Sequence, residues 1–297
     1  FFITYINMKK IFLVGASGFL GLNFIKTYKK KYDIYAHVNK RKLSITGIKT
    51  VKININNINE LKNFTIKKKI QIIINFAGLT SIEKCEKNKK EAFISNVVIP
   101  KNLKIVAKFY KIRLLHISTD QLFSGKKKNR YSEESYCKPL NYYGKTKLIG
   151  EKKIKNYDKT LILRTNFFGS LNENHDSITN KIINNIKVKN KVFLWSNIYF
   201  TPLFFINLIK IIDLMIVKKV KGIFNVSSNE KISKYEFGII LSKIFNLDTT
   251  YIIKNKFDKN KFVNRPKNMC LENKKLINKF KFLKKKLSIE KQIKDFK

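Results

Sequence analysis

From Lys10 to about Thr165 the chain alternates short apolar runs with segments of helical spacing, and this rhythm constrains the fold more than any other feature. The runs Ile11–Val14, Ile34–Val38, Thr50–Ile53, Ile70–Phe76, Arg113–Ile117 and Thr160–Arg164 are rich in Val, Ile and Leu, without the regular polar alternation of a half-exposed strand. Strands of this kind are buried on both faces, which happens when helices cover both sides of a parallel sheet. The predicted class is α/β with a doubly wound parallel sheet.

After Gly169 the rhythm breaks. A polar stretch, Ser170–Asp176, leads into a helical pattern, a short strand near Val192–Leu194 and an apolar helix from Pro202. Gly222–Val226 reads as one more strand, and Ser233–Phe245 as a helix capped by Ser233 with Glu236 at the capping-box position. The expected organisation is a cofactor domain of residues 8–169, with 201–228 returning to it, and a smaller α/β lobe of 170–200 and 229–297. The tail after Lys279 reads as a basic, mostly exposed helix or a frayed end. Phe1–Asn7 precede a Met-Lys-Lys start at Met8, lack the length and cleavage site of a signal peptide, and are left out of the fold reasoning.

A chain of 297 residues, 44% of them hydrophobic, is long enough for a large core plus a smaller lobe, which excludes a fibrous or disordered chain. A net charge of +43 would ordinarily point to nucleic acid or an anionic membrane. The basic residues are spread along the chain, however, and Lys, Asn and Ile are over-used together, as a genome rich in A and T codons produces. The charge therefore reads as a solvated lysine surface with no specific nucleic-acid partner. No uncharged run reaches the roughly 18 residues needed to span a bilayer, since Thr201–Val217 carries Asn207, Lys210 and Asp213; no membrane partner is expected. Cys85, Cys137 and Cys270 are odd in number and lack paired spacing, so no metal site is expected and a reducing cytoplasm is the expected compartment.

Gly15, Gly18 and Gly21 directly follow the first strand and open a helix. Glycines there make a tight turn and bring backbone N–H groups to a pyrophosphate, which makes Gly15, Ser17, Gly18, Phe19, Leu20 and Gly21 candidate cofactor contacts. An NAD-specific site places a carboxylate about 20 residues further on. Here the second strand ends in Val38, Asn39, Lys40 and Arg41, so Asn39 and Arg41 favour the 2′-phosphate of NADP(H), with NAD(H) as the alternative. Lys40, Arg41 and Lys42 also fit the general lysine excess.

Tyr143 and Lys147 stand four residues apart, one helical turn on one face. Lowering a phenol pKa by three units requires about 4 kcal/mol of phenolate stabilisation, and a fixed cation supplies part of it. Upstream, His116–Asp120 ends a buried strand on the edge where open α/β sheets bind ligands. Thr119 is the candidate hydroxyl donor to a substrate carbonyl and Ser118 the second choice; the alternative role is a hydroxyl that satisfies the strand end.

Gly15–Gly21, Asn75–Gly78, Ser118–Phe123, Pro139–Glu151 and Leu163–Thr165 together resemble the extended short-chain dehydrogenase/reductases, with the nearest likeness to the dTDP-4-dehydrorhamnose reductases. Thr201–Leu203, Gly222–Val226, Ser233–Phe237, Arg265–Asn268 and Leu271–Leu276 agree with the second lobe of that family. The resemblance runs over nearly the whole chain from Met8 and implies a Rossmann-type fold with a smaller substrate-binding lobe. It implies that Gly15, Gly18 and Gly21 hold the pyrophosphate, that Asn75, Ala77 and Gly78 border the ribose, and that Thr119, Tyr143 and Lys147 are catalytic, the last two also touching the cofactor. Thr80 and Gln121 would lie near the substrate, and Arg265 would face its nucleotide or else anchor a loop. Gln121 departs from the aromatic residue common in rhamnose reductases, and Asn54, Asn56 and Asn57 stand where acids are usual.

The implied activity is NADPH-dependent reduction of a keto group on a nucleotide-linked deoxysugar, by an enzyme expected as a homodimer. The rivals are a sugar-nucleotide epimerase or dehydratase of the same fold and a non-catalytic NADP-binding regulatory subunit. If the charge is a solvated surface, any DNA association measured by fluorescence anisotropy should be sequence-independent and lost between about 50 and 200 mM salt. Sequence-selective binding at the higher salt would contradict this.

Overall fold

The structure is a computed structural model that describes residues 8–39, 43, 45–169 and 177–297. Seven strands form one sheet: β1 (Lys10–Val14), β2 (Asp33–His37), β3 (Lys49–Val51), β4 (Ile72–Asn75), β5 (Arg113–Thr119), β6 (Thr160–Thr165) and β7 (Gly222–Val226). Their order is β7-β6-β5-β4-β1-β2-β3. β1 pairs in parallel with β2 and β4, so that Ile11 stands opposite Ile34 on one side and Ile72 on the other. β2 with β3 and β4 with β5 are parallel as well. The order reverses at β1, which creates a switch point at the carboxyl ends of β1 and β4, the place where open α/β sheets take up ligands.

Helices α1 (Phe19–Tyr28), α2 (Ile58–Lys67), α3 (Ile99–Phe109) and α4 (Tyr142–Ile154) follow β1, β3, β4 and β5. Phe12, Ile73, Leu103, Val106, Leu114 and Ile162 belong to one buried cluster, in which α3 covers the sheet. This is why the strands read as continuous apolar runs: all of β4 and β6 is buried.

Two compact units make up the chain. The first comprises residues up to Ile117 with Thr146–Ile162 and Lys218–Ile223; the second comprises Ser118–Lys145, Leu163–Val217 and Phe224–Lys297. In the second unit Val192–Trp195 pairs in parallel with Ile252–Asn255, and its longer helices include α5 (Ile178–Lys187), α6 (Phe205–Val217) and α7 (Lys234–Ile244). The capping box of α7 is present: Ser233 Oγ accepts from Glu236 N at 3.1 Å and Ser233 N donates to Glu236 Oε2 at 2.6 Å. Among the described residues no helix is long and apolar enough to cross a membrane.

Two expectations are corrected. The helix expected from Pro202 starts at Phe205, because Leu203–Phe204 first pairs with Phe167–Phe168 as a short strand. Leu203 N donates to Asn166 O and Phe204 N to the side-chain oxygen of Gln292, so neither donor serves a helix. The tail is neither one helix nor a frayed end: most of its residues are exposed, but Leu283, Leu287, Ile289, Gln292 and Ile293 are buried along a 3-10 turn at Lys281–Lys286, the residue that follows it and a helix at Ile289–Lys294. The lysine excess hid this apolar face in the sequence.

Among the described residues, Schellman turns close helices at Lys69, Lys111, Lys189 and Asn246, left-handed residues with φ of 52, 54, 56 and 54°. After α3, Lys111 N donates to Lys108 O at 3.2 Å and Ile112 N to Ala107 O at 2.9 Å. A Cβ at this φ costs roughly 1–2 kcal/mol, against the entropy that glycine adds to the unfolded chain. Lys111→Gly should therefore stabilise the fold by about 0.5–1 kcal/mol in urea unfolding, and Lys111→Val should destabilise it.

Candidate functional site

The loop after β1 turns at Gly15, with φ 83°, where a Cβ would stand 2.5 Å from Ala77 N and 2.7 Å from Phe76 C. Only glycine permits that approach of the β1 loop to the chain leaving β4. At Gly21 a Cβ would lie 2.4 Å from Gly15 O, so α1 also needs a glycine to pack against its own entry loop. Gly18 is the exposed N-cap of α1 and supplies no capping side chain. No side chain caps the start of this helix, and its positive end suits an anionic pyrophosphate. Leu20 and Gly21 are buried, which limits them to backbone contact, while Ser17 and Phe19 are half-buried.

Past β2, Asn39 is exposed and no carboxylate accompanies it at the strand end. Arg41 lies outside the described residues. The amides noted at Asn54–Asn57 build the entry to α2: Asn57 Oδ1 accepts from Asn59 N at 3.0 Å and Glu60 N at 3.2 Å, and Asn54 Oδ1 accepts from Asn56 N at 3.0 Å. An N-cap needs only an acceptor oxygen, so amides replace acids there without structural loss.

β4 ends at the fully buried Asn75, whose Oδ1 accepts from Ala77 N at 3.0 Å. Leu79 is held by Asn96, in the π-helical turn Ile94–Val98 that leads into α3, and a Cβ on Gly78 would stand 2.9 Å from Asn96 Oδ1. Asn96 Oδ1 accepts from Leu79 N at 3.1 Å, and its Nδ2 donates to Leu79 O and to Thr146 Oγ1 of α4, each at 3.0 Å. A Cβ on Gly150 would come within 2.2 Å of Asn96 O, which fixes how closely α4 approaches this turn. Thr80, next along the chain, is exposed.

Thr119 is the last residue of β5 and only 5% exposed. Its hydroxyl donates to Asp120 Oδ1 at 3.2 Å and accepts from Gln121 N at 3.2 Å. Asp120 also accepts from Asn166 Nδ2 at 2.6 Å; burial raises its carboxyl pKa, opposed by that bond and by the charge of Lys234. The second choice, Ser118, has a buried Oγ with no hydrogen-bond partner among the described residues. Gln121 is buried and committed within its own unit: its Nε2 donates to Met269 Sδ and its Oε1 accepts from Asn141 Nδ2.

Tyr143 and Lys147 lie one turn apart on α4 and are 8% and 4% exposed. Gly144 sits between them, where a Cβ would meet Gln121 O at 2.3 Å. Lys147 Nζ donates to Ile117 O at 2.6 Å and lies 3.2 Å from His116 Nε2. Burial lowers the Lys147 pKa to about 8, with Glu151 opposing the shift. Lys234 in the second unit is pushed down to about 7 by burial, with Asp120 opposing.

In the second unit a cleft of about 420 Å³ is lined by Ser124, Lys126, Lys256, Lys259, Arg265 and Lys267 among others. The Arg265 guanidinium lies 5.2 Å from the Trp195 ring centroid and 5.8 Å from that of Phe257, and its Nε donates to Val263 O at 3.4 Å. Those contacts hold its charge at the cleft wall.

The family model described as the RmlD substrate binding domain matches residues 8–296. The chain belongs to this family. A probable low-salt glycan biosynthesis reductase of Haloferax volcanii is 24% identical over 266 residues, which cover 88% of this chain and 89% of the relative. Methionine adenosyltransferase 2 subunit beta of Xenopus laevis is 26% identical over 260 residues, covering 82% and 74%. The dTDP-4-dehydrorhamnose reductase of Bacillus anthracis, solved with NADP, has the same fold, with a TM-score of 0.85 at 23% identity over 97% of this chain and 98% of that one.

Against this RmlD-family fold, sequence reasoning missed Asn96 and the partners of His116. Asn96 carries no motif of its own, and its signal would have been an amide in an otherwise apolar helical run. A testable consequence concerns Lys147, whose folded pKa of about 8 lies below its ordinary value of 10.5. Below both values the folded state bears the full cost of a buried cation, and stability rises with pH between them. Lys147→Met should therefore be more stable at neutral pH by about 1–3 kcal/mol, after loss of the Ile117 bond, with the gap closing toward about pH 10 in urea titrations.

Proposed function

We propose that the chain is an NADPH-dependent reductase of a keto group on a nucleotide-linked deoxysugar, with Thr119, Tyr143 and Lys147 as its catalytic set. The observation that carries the reading is a buried Tyr143 one turn from Lys147 on α4, in a chain whose first unit has a glycine-built switch-point loop. Membership of the RmlD family and likeness to a reductase solved with NADP support it.

When bound, the reduced nicotinamide supplies a hydride to the carbonyl carbon. Tyr143 delivers the proton to the carbonyl oxygen, and Lys147 stabilises the resulting phenolate and holds the cofactor ribose. Thr119 offers its hydroxyl to the same oxygen once its proton leaves Asp120 Oδ1. Gly15, Gly18 and Gly21 receive the pyrophosphate, and Asn75, Ala77 and Gly78 border the ribose. Asn39 presents no carboxylate to repel a 2′-phosphate, and Arg41 is its proposed partner. Arg265 and the lysines of its cleft suit the diphosphate of the substrate. Thr80 and Gln121 are assigned to the substrate side, Gln121 through the positions it fixes.

The likeness to the beta subunit of methionine adenosyltransferase favours one second reading, a cofactor-binding subunit without turnover. NADPH oxidation followed at 340 nm against dTDP-, GDP- and UDP-linked 4-keto sugars separates the readings. Net oxidation with one of them is expected; an epimerase or dehydratase would return the hydride, and a regulatory subunit would consume nothing. Tyr143→Phe should keep cofactor affinity and lose at least about 100-fold in turnover. An unchanged rate would remove Tyr143 from the reaction.

A further inference from the structure

His116 occupies the middle of β5 and is wholly buried. Its Nδ1 lies 3.0 Å from Asn75 Nδ2 and its Nε2 lies 3.2 Å from Lys147 Nζ. The direction of this chain is set at its far end by a group that has no alternative. Ala77 N–H, a backbone donor, points at Asn75 Oδ1. The other end of the Asn75 amide, which faces His116, is therefore its NH2 group, and His116 Nδ1 must accept.

Burial and the neighbouring Lys147 both push the His116 pKa well below its ordinary value, so the ring is neutral at physiological pH. A neutral imidazole that accepts at Nδ1 carries its one hydrogen at Nε2. That N–H points at Lys147 Nζ. An ammonium has three hydrogens and no lone pair to receive it, whereas an amine accepts it and still donates to Ile117 O.

We propose that His116 is a positioning residue: through the chain Ala77–Asn75–His116 it presents a donor to Lys147 and thereby sets the pH at which that lysine changes charge. The proposal rests on the assignment of Lys147 to the cofactor and to Tyr143. Burial depresses the ammonium, and the opposed N–H acts in the same direction. Release of Asn75 Oδ1 from Ala77 N would let the amide turn, move the imidazole hydrogen to Nδ1 and leave Nε2 to accept from an ammonium. The loop that borders the cofactor ribose is thus hydrogen-bonded, through two side chains, to the charge state of the catalytic lysine. Among the described residues, Glu151 one turn on along α4 acts on the Lys147 charge, and Tyr143 stands one turn back on the same helix. Asn75 from β4 and Asn96 from the π-helical turn carry no charge.

Two measurements test the proposal. The chain has three histidines, so 15N-histidine labelling resolves the His116 ring in the cofactor-free wild-type protein. Above about pH 8, where Lys147 is an amine, the hydrogen should sit on Nε2; the Nδ1–H tautomer or an imidazolium would overturn the proposal. The second measurement is NADPH affinity, read by nicotinamide fluorescence from about pH 6 to about 10 in wild type, His116→Gln and Lys147→Met. Wild type should lose affinity as pH rises through about 8, and Lys147→Met should lack this inflection. In His116→Gln a side-chain oxygen accepts from the ammonium, so the inflection should move up by about one unit, a tenfold change in the protonation equilibrium. An inflection left in place by His116→Gln would overturn the proposal alone. Absence of NADPH binding to wild type at every pH would overturn the cofactor reading and the proposal with it.

Discussion

The close approach of two backbones, the turn at Gly15 after β1 and the Phe76–Ala77 segment after β4, governs the carboxyl edge of the first unit. A single Cβ at Gly15 would occupy the space of Ala77 N. The approach follows from the strand order, because the reversal at β1 makes β4 its neighbour and leaves their two exit loops side by side. From this constraint the polar interior is built outward. Ala77 N–H orients Asn75, Asn75 orients His116, and His116 faces Lys147. Gly150 and Asn96 secure the other side of α4, with the helix and the π-helical turn at a separation that tolerates no side chain.

A chain dominated by lysine and asparagine meets its structural needs with those two residues. Asparagine carries both a donor and an acceptor, and the protein uses it wherever loops need their backbone groups satisfied. In the second unit Asn268 Nδ2 donates to Lys127 O at 2.7 Å and Asn129 O at 3.0 Å. Asn225 Nδ2 donates to Tyr131 O at 2.8 Å, and Asn273 Nδ2 to Ser227 O at 3.0 Å. Several of the positions through which the sequence resembles its family are therefore scaffolding amides. Lysine in turn fills the left-handed helix ends that glycine usually occupies, at a conformational cost but with a cation near each helix's negative end.

The residues proposed as catalytic and the burial of their charges stand in tension here. Lys147 and Asp120 are almost completely removed from water, and burial disfavours the charged form of each. The protein offsets this locally, with Ile117 O for the Lys147 side chain and with Asn166 and Thr119 for the carboxylate. Sites that hold ionisable groups close to neutrality are the ones equipped to move protons, and stability is given up to keep them so.

The sequence by itself determined the strand-helix rhythm, the glycine loop and the Tyr143–Lys147 spacing, because each is a local property: a run of buried residues, a turn that needs glycine, one turn of helix. Capping was legible for the same reason, as Ser233 and Glu236 show. Tertiary structure alone decided that the lysine-rich tail docks through Leu283, Leu287 and Ile293, and that Gln292 gives its oxygen to Phe204 N. It alone decided that Gln121 is spent on Asn141 and Met269, and that Asn96 and His116 serve α4. Those outcomes depend on partners distant in sequence, and a buried amide or imidazole shows its role only when the group it must satisfy is in place beside it.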